Sequence, residues 1–221
     1  MGAKVDVLVG TTKGGFIFSS DAARRKWEAG DIQFKSWNVM HVQFDPRDQR
    51  LHAALNHPVY GPTTHYSDDF GRTWTQAKVV PALTRPSKSG RPMGTVEEMF
   101  RAESGEQVAE TPERMTKVWN ITPGRAGEPG VLYAGAQPAS LFVSRDRGET
   151  WELNEPLYDH PQRGKFNPGA GGLCLHTILL DPDNLRRMYI AISAGGCYRS
   201  DDAGQTWAPY NKNVRADFMP D

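Results

Sequence analysis

Short apolar runs separated by tight turns recur along the 221-residue chain. Alternation of apolar and polar residues over about four to eight positions, bounded by Gly, Pro and Asp, is typical of half-buried β-strands. Grouped in fours, with strands named a to d from the centre outward, the pattern predicts three similar units at about 36–77, 117–154 and 172–210. A shorter unit at about 4–30 precedes them and begins at strand b.

An octapeptide follows strand c in each complete unit: SDDFGRTW from Ser67, SRDRGETW from Ser144 and SDDAGQTW from Ser200. Ser and Asp close tight turns by accepting backbone hydrogen bonds, Gly supplies a positive φ, and Trp buries a large apolar face. We therefore predict a structural role for the recurring positions. They are Ser67, Asp69, Gly71, Trp74, Ser144, Asp146, Gly148, Trp151, Ser200, Asp202, Gly204 and Trp207.

The octapeptide resembles the Asp box, or BNR repeat, of the Asp-box β-propellers. That superfamily includes sialidases, xyloglucanase-like glycosidases, sortilin-type receptor ectodomains and photosystem assembly factors. The resemblance implies an all-β fold: a β-propeller of four-stranded antiparallel blades, about four in this chain, forming a single array over 1–221. Its members share turns more than chemistry, so the resemblance implies an architecture and not one reaction.

The first unit lacks strand a and ends in a degenerate octapeptide, SSDAARRKW, before Trp27. Two arrangements fit this gap. Either the tail, in which Val214, Ala216 and Phe218 alternate, supplies the missing strand and closes four blades, or the chain is the leading part of a larger propeller. Similarity to longer members of the superfamily favours the second.

Two long connections, about 77–117 and 154–172, join a strand d to the next strand a. In the first, TVEE from Thr95 matches a capping box, which predicts a helix at about 96–104 inside a helical insertion spanning about 82–116. Strand directions place these connections with the b–c turns, on the face opposite the octapeptides. Loops on a rigid scaffold commonly bind ligands, so we expect a small molecule, glycan or protein to bind this face.

The candidate binding residues are those that the predicted strand directions bring to this face. They are His41, His57, Tyr60, Trp119, Asn120, His160, Arg163 and His176. Their aromatic rings suit carbohydrate stacking and protein hot spots equally. Glu97 and Glu98, on the predicted helix, are the candidate catalytic carboxylates, although a solvated helix face also explains them.

His41 and His176 could converge as metal ligands if both line a central channel. His41 lies four residues before Asp45 and His176 five before Asp181, so their side chains should point to opposite sides of their strands unless a bulge intervenes. Hydrogen-bonded histidines at strand ends are the simpler interpretation. No cofactor is predicted, and a divalent metal is the alternative.

Charge and cysteine content limit the expected classes of partner and the expected cellular compartment. The 26 Lys and Arg balance the 26 Asp and Glu, which gives no electrostatic reason to expect nucleic acid or a membrane surface. Cys174 and Cys197 are too few for a disulfide framework, and no targeting segment is recognisable at the N-terminus. These features favour a cytoplasmic protein with reduced thiols.

The sequence therefore favours a binding module, with a glycoside hydrolase or a metal-dependent hydrolytic propeller as alternatives. A glycosidase needs two carboxylates across a cleft, and no marked pair is present. A sialidase would add an Arg cluster and an Arg-Ile-Pro signature. The chain offers only Arg85-Pro86 and Arg91-Pro92, without the middle residue.

Overall fold

The computed structural model describes residues 4–90 and 113–214, and there it confirms an all-β architecture. The strands are β1 (Lys4–Thr11), β2 (Gly14–Asp21), β3 (Glu28–Ala29), β4 (Asn38–Asp45), β5 (Arg50–His57), β6 (Gly61–Ser67), β7 (Thr75–Gln76), β8 (Lys117–Pro123), β9 (Leu132–Gln137), β10 (Ser140–Ser144), β11 (Glu152–Leu153), β12 (Leu175–Leu180), β13 (Met188–Ile192), β14 (Gly196–Ser200) and β15 (Ala208–Pro209).

Each sheet is built from consecutive antiparallel strands and forms one propeller blade. Blade 1 contains β1–β3, blade 2 β4–β7, blade 3 β8–β11 and blade 4 β12–β15. Blade 1 has three strands, as predicted, and within the described residues no strand pairs with the inner edge of β1. The tail residues Ala216 and Phe218, the predicted helix at 96–104, and both Glu97 and Glu98 lie outside the described ranges.

The outer strands are shorter than predicted. We expected strand d of blade 2 to begin at Thr73, whereas β7 covers only Thr75–Gln76. Thr73 donates its backbone N–H to Asp69 in the preceding turn, at 2.8 Å, and is therefore unavailable to the sheet. The octapeptide turn therefore includes residues that would otherwise begin the next strand.

The hydrophobic core lies mainly between neighbouring blades. One cluster joins Leu141 of blade 3 to Met188 and Ile190 of blade 4, and another joins Ala54 of blade 2 to Phe142 of blade 3. Full burial of one such large apolar side chain contributes about 1.5–3 kcal/mol. Each blade is therefore stabilised chiefly by the next one.

The 154–172 connection contains two short helices that its composition did not predict. Helix α1 (Glu155–Tyr158) is capped by Asn154, whose side chain accepts the backbone N–H of Leu157, and a 3₁₀ turn (Arg163–Lys165) follows. No helix in the described residues is long and apolar enough to cross a membrane.

Candidate functional site

Each octapeptide forms the same closed set of hydrogen bonds. In the first, the Ser67 hydroxyl donates to Asp69 Oδ1 at 2.8 Å and accepts from Gly71 N at 2.8 Å. Asp69 also accepts from the backbone N–H and hydroxyl of Thr73, at 2.8 and 2.6 Å. The octapeptides from Ser144 and Ser200 repeat these bonds.

These hydrogen bonds occupy the Ser hydroxyl and the Asp carboxylate of each turn. The hydroxyl of Thr73 holds the pKa of Asp69 at about 2, and the hydroxyl of Thr206 does the same for Asp202. A carboxylate that accepts several donors stays ionised and is a poor proton donor or acceptor near neutral pH. The geometry supports a structural role for these residues.

The a–b turns lie on the same face as the octapeptides, and charged groups link blade to blade there. Arg147 in blade 3 donates to Asp48 and Asp68 of blade 2, at 2.6 and 3.1 Å. Arg47 of blade 2 donates to backbone carbonyls of blade 3, including those of Glu128 and Val131 at 2.7 Å. We call this surface the Asp-box face.

Two predicted binding residues on strand a instead connect adjacent blades. His41 Nδ1 accepts the backbone N–H of Ile121 in the next blade at 3.2 Å, and burial lowers the pKa of this imidazole. Asn120 donates to the carbonyl of His176, again one blade onward, at 2.8 Å. Both side chains therefore stabilise the inner ring of strands.

A register shift occurs in every strand a, at Met40, Trp119 and His176. All three strands have the shift at the same place. His176 is itself the residue at the shift, whereas His41 follows it, so the two histidines still occupy different positions on their strands. His176 Nδ1 lies 2.8 Å from the Thr177 hydroxyl. In the described parts of the chain, no group of three or more His, Cys, Asp and Glu residues is placed to hold a metal ion.

Two other predicted binding residues lie inside the protein. Arg163 is fully buried and donates to Glu113 at 2.7 Å and to the Ala139 carbonyl at 2.5 Å. His160 is buried with Nε2 3.2 Å from the carbonyl of Trp207. The expectation that they face a ligand in solution is corrected, because both serve to anchor the connections between blades.

Trp119 is partly buried at the inner edge of blade 3. Its indole N–H donates to Gln137 Oε1 at 3.2 Å, and the Lys117 ammonium lies 5.2 Å from the ring centre. The indole is held in place by neighbours on its own blade.

The face opposite the octapeptides contains a cleft of about 430 Å³. Its walls are Asn38, residues 56–58 and 61–62 on either side of the β5–β6 turn, and residues 114–116, which lead into blade 3. Asn56 Oδ1 is buried there and accepts no hydrogen bond from the described residues. We call this concavity the cleft, and the surface around it the cleft face.

Three rings lie together beside the cleft. Trp37 and Tyr60 are stacked with centres 6.1 Å apart, and His57 lies 4.7 Å from each. Tyr60 is 76% exposed. His57 Nδ1 accepts the backbone N–H groups of Val59 and Tyr60, at 3.1 and 3.4 Å, which fixes the turn. We call Trp37, His57 and Tyr60 the aromatic platform.

The platform continues into a row of rings at the junction of blades 1 and 2. Trp37 lies 6.2 Å from His65, which lies 5.3 Å from Phe34, which in turn lies 4.8 Å from Trp74. Phe34 and Ser36 have φ of 49° and 71°. Such left-handed non-glycine residues are strained, and this turn presents Trp37 beside the cleft.

His57 and Tyr60 are the predicted site residues that the structure brings together beside the cleft. Sequence reasoning missed Trp37, Asn38 and Arg114. Trp37 immediately precedes a predicted strand a, a position from which its ring could have been expected near the cleft face. No sequence signal marks Arg114, because it reaches the cleft through a connection that does not repeat.

The BNR/Asp-box repeat matches residues 65–76, 142–153 and 198–209. No curated protein matches the chain. A GH74 xyloglucanase from Xanthomonas campestris is similar at 17% identity, over 93% of this chain and 36% of that one, with a TM-score of 0.42. The chain thus spans about a third of that enzyme's length.

Two further solved structures are similar at 13% identity. One is YCF48 bound to D1 peptide, for which the similarity covers 97% of this chain and 81% of that one, with a TM-score of 0.38. The other is YCF48 from Cyanidioschyzon merolae, for which the similarity covers 96% of this chain and 87% of that one, with a TM-score of 0.30. The three matched repeats are the turns after β6, β10 and β14, so the chain contains three BNR/Asp-box repeats, each within a four-stranded antiparallel blade.

Proposed function

We propose that this protein is a glycan-binding propeller, which holds its ligand in the cleft with one sugar ring against the aromatic platform. The observation that carries the proposal is the exposed ring of Tyr60, packed against Trp37 and His57, beside a cleft of about 430 Å³ whose lining includes Asn38, Asn56 and Arg114. That volume lies within the roughly 300–1,000 Å³ of typical ligand sites.

Sugars match both parts of this arrangement. Asn38 and Arg114 line the cleft and can exchange hydrogen bonds with sugar hydroxyls. The apolar C–H face of a pyranose can cover the ring of Tyr60, and Trp37 and His57 hold that ring in place. A platform already fixed by its neighbours loses little side-chain entropy when the ligand binds.

Binding fits the cleft better than hydrolysis does. Among the described residues that line the cleft there is no Asp or Glu. Glycosidases commonly use two carboxylates, one as acid and one as base or nucleophile. The glycoside hydrolase alternative rests on Glu97 and Glu98, and it predicts turnover of aryl glycosides that is lost in Glu97→Gln or Glu98→Gln.

A glycan array probed with the purified chain tests the proposal. We expect binding to a restricted set of glycans, and about tenfold weaker affinity for Tyr60→Ala, because stacking and apolar contact are lost. Tyr210→Ala is the matched control, since Tyr210 is 51% exposed and packs 5.6 Å from Tyr189, in blade 4. Absence of glycan binding, or equal loss in both variants, would overturn the proposal.

A further inference from the structure

We infer that a second copy of this chain completes the ring of blades. Blade 4 of one copy packs against blade 1 of the other at two identical contacts, and the pair forms one closed propeller. The inference is independent of the proposed glycan binding. It follows from two open apolar faces, one at each end of the array, whose counterparts in the other blades are buried.

Strand pairing aligns the four blades residue by residue. In each blade, the Ser that lies seven residues before the box Trp pairs with one residue of strand b, and every second residue of strand b from there points to the same side of the sheet. In blades 3 and 4 these residues pack against the preceding blade. We call that side of a blade its back face and the opposite side its front face. The aligned pairs are Val5 with Ser20, Leu51 with Ser67, Leu132 with Ser144, and Met188 with Ser200.

The back face of blade 1 is apolar and open. It contains Val7 and Val9 of β1, paired with Phe18 and Phe16 of β2. Val7 is 41% exposed, whereas its three counterparts are at most 1% exposed. Trp27 is exposed as well, although the equivalent Trp side chains of blades 3 and 4 are buried. The counterparts of Val7 are Ala53, Ala134 and Ile190.

The front face of blade 4 is open in the same way. On blade 3 this face contains Tyr133 and Leu141, which are buried in the cluster shared with blade 4. Tyr189 and Cys197 occupy the same positions on blade 4 and are partly exposed. Leu179, which pairs with Tyr189 on this face, is 59% exposed.

The four blades of one copy leave these two faces apart. No hydrophobic cluster in the described ranges joins blade 4 to blade 1. Charge does not prevent either face from being covered. Arg199, opposite Tyr189 on the front face of blade 4, lies 3.0 Å from the carboxylate of Asp201, which neutralises it.

A second copy covers both faces at once. The contact of a front face with the next back face already joins blade 2 to blade 3 and blade 3 to blade 4. Such a head-to-tail contact forms a ring when the rotations close. Two copies supply eight blades, and known propellers have about four to eight. Closure removes both apolar faces from water, where a contiguous patch of this kind favours association.

Cross-linking between cysteines tests the inference. Val7 and Cys197 are the counterparts of Ile190 and Leu141, which lie in the cluster between blades 3 and 4. A short bismaleimide should therefore convert most of Val7→Cys into a two-chain product on denaturing gels, and adding Cys197→Ser should abolish that product. Val59→Cys, in the exposed turn of the cleft face, is the matched control and should give only traces. Equal yields from the two variants, or a linker that joins both sites within one chain, would overturn the inference.

Light scattering gives an independent measurement. We expect the mass of two chains for the wild type and half that mass for Val7→Asp and for Leu179→Asp, because a buried unpaired carboxylate is costly. Both side chains are exposed within one copy, so circular dichroism should show an intact fold. Val59→Asp should retain the two-chain mass. A wild-type mass of one chain, or of more than two, would overturn the inference and leave the glycan proposal standing.

Discussion

The Asp-box face and the cleft face lie at opposite ends of the same strands, yet the turns of the first repeat from blade to blade and the connections of the second do not. On the Asp-box face, the Ser67 hydroxyl and the Asp69 carboxylate are bonded within one turn, and Arg147 ties two blades together. On the cleft face, Asn56 and Arg114 come from connections that differ in length and sequence. The comparison indicates that the repeated turns stabilise the blades, and the binding site that we propose lies where the connections differ.

Breaking the buried ion pair beneath the cleft face should have the largest effect. Arg163→Met leaves Glu113 charged and buried, and we expect a loss of about 3–5 kcal/mol in the free energy of unfolding, measured with urea. Lys26→Ala, which removes a pair whose side chains are 86% and 77% exposed, should cost less than about 1 kcal/mol.

A double variant sharpens that result. Arg163→Met combined with Glu113→Leu leaves no unpaired buried charge and should recover much of the loss. If Arg163→Met alone behaves like Lys26→Ala, the pair does not anchor the cleft wall.

Substitution of one glycine on each face compares how tightly the two faces are packed, because both glycines have a positive φ. Gly148 in the second Asp box has φ +82° and a Cβ there would lie 3.1 Å from Leu132 and 3.2 Å from His52. Gly61 in the cleft turn has φ +77° and open space around it. We expect Gly148→Ala to cost about 2–4 kcal/mol and Gly61→Ala about 1 kcal/mol in urea unfolding. Equal costs would show that the Asp-box face is not the more tightly packed one.

His41 and His176, on the inner strands of blades 2 and 4, provide a third comparison. His41→Ala leaves the buried Ile121 N–H without its acceptor and should cost about 1–3 kcal/mol in thermal or urea unfolding. His176→Ala removes an exposed ring and should cost about 0.5 kcal/mol or less. A shared metal site would instead make the two losses similar and make wild-type stability sensitive to chelators.

Acid should weaken the Asp-box face in a defined pH window. The pKa of Asp202 is lowered from 3.8 to about 2, so the stability it contributes is complete above pH 4 and is lost as pH falls towards 2. Asp202→Asn should be less stable than wild type at pH 7, and the difference should narrow between pH 4 and pH 2. A difference that is constant over this range, measured by urea unfolding at each pH, would contradict the assignment.

The blades could be predicted from the sequence because their signals are local. Each Asp box lies within eight consecutive residues, and its Gly and Trp report the turn and the strand that follows. The cleft could not be predicted in full, since Asn56 and Arg114 come from separate connections whose approach depends on packing. Arg163 was misplaced for the same reason: its partner Glu113 is 50 residues away in the chain.

Amide hydrogen exchange, with and without a glycan selected by the array, tests the division of faces most directly. We expect slower exchange in residues 56–62 and 114–117 when the glycan is bound, with no change in residues 67–74 or 144–151. Slower exchange in the Asp boxes, or none in the cleft, would contradict it.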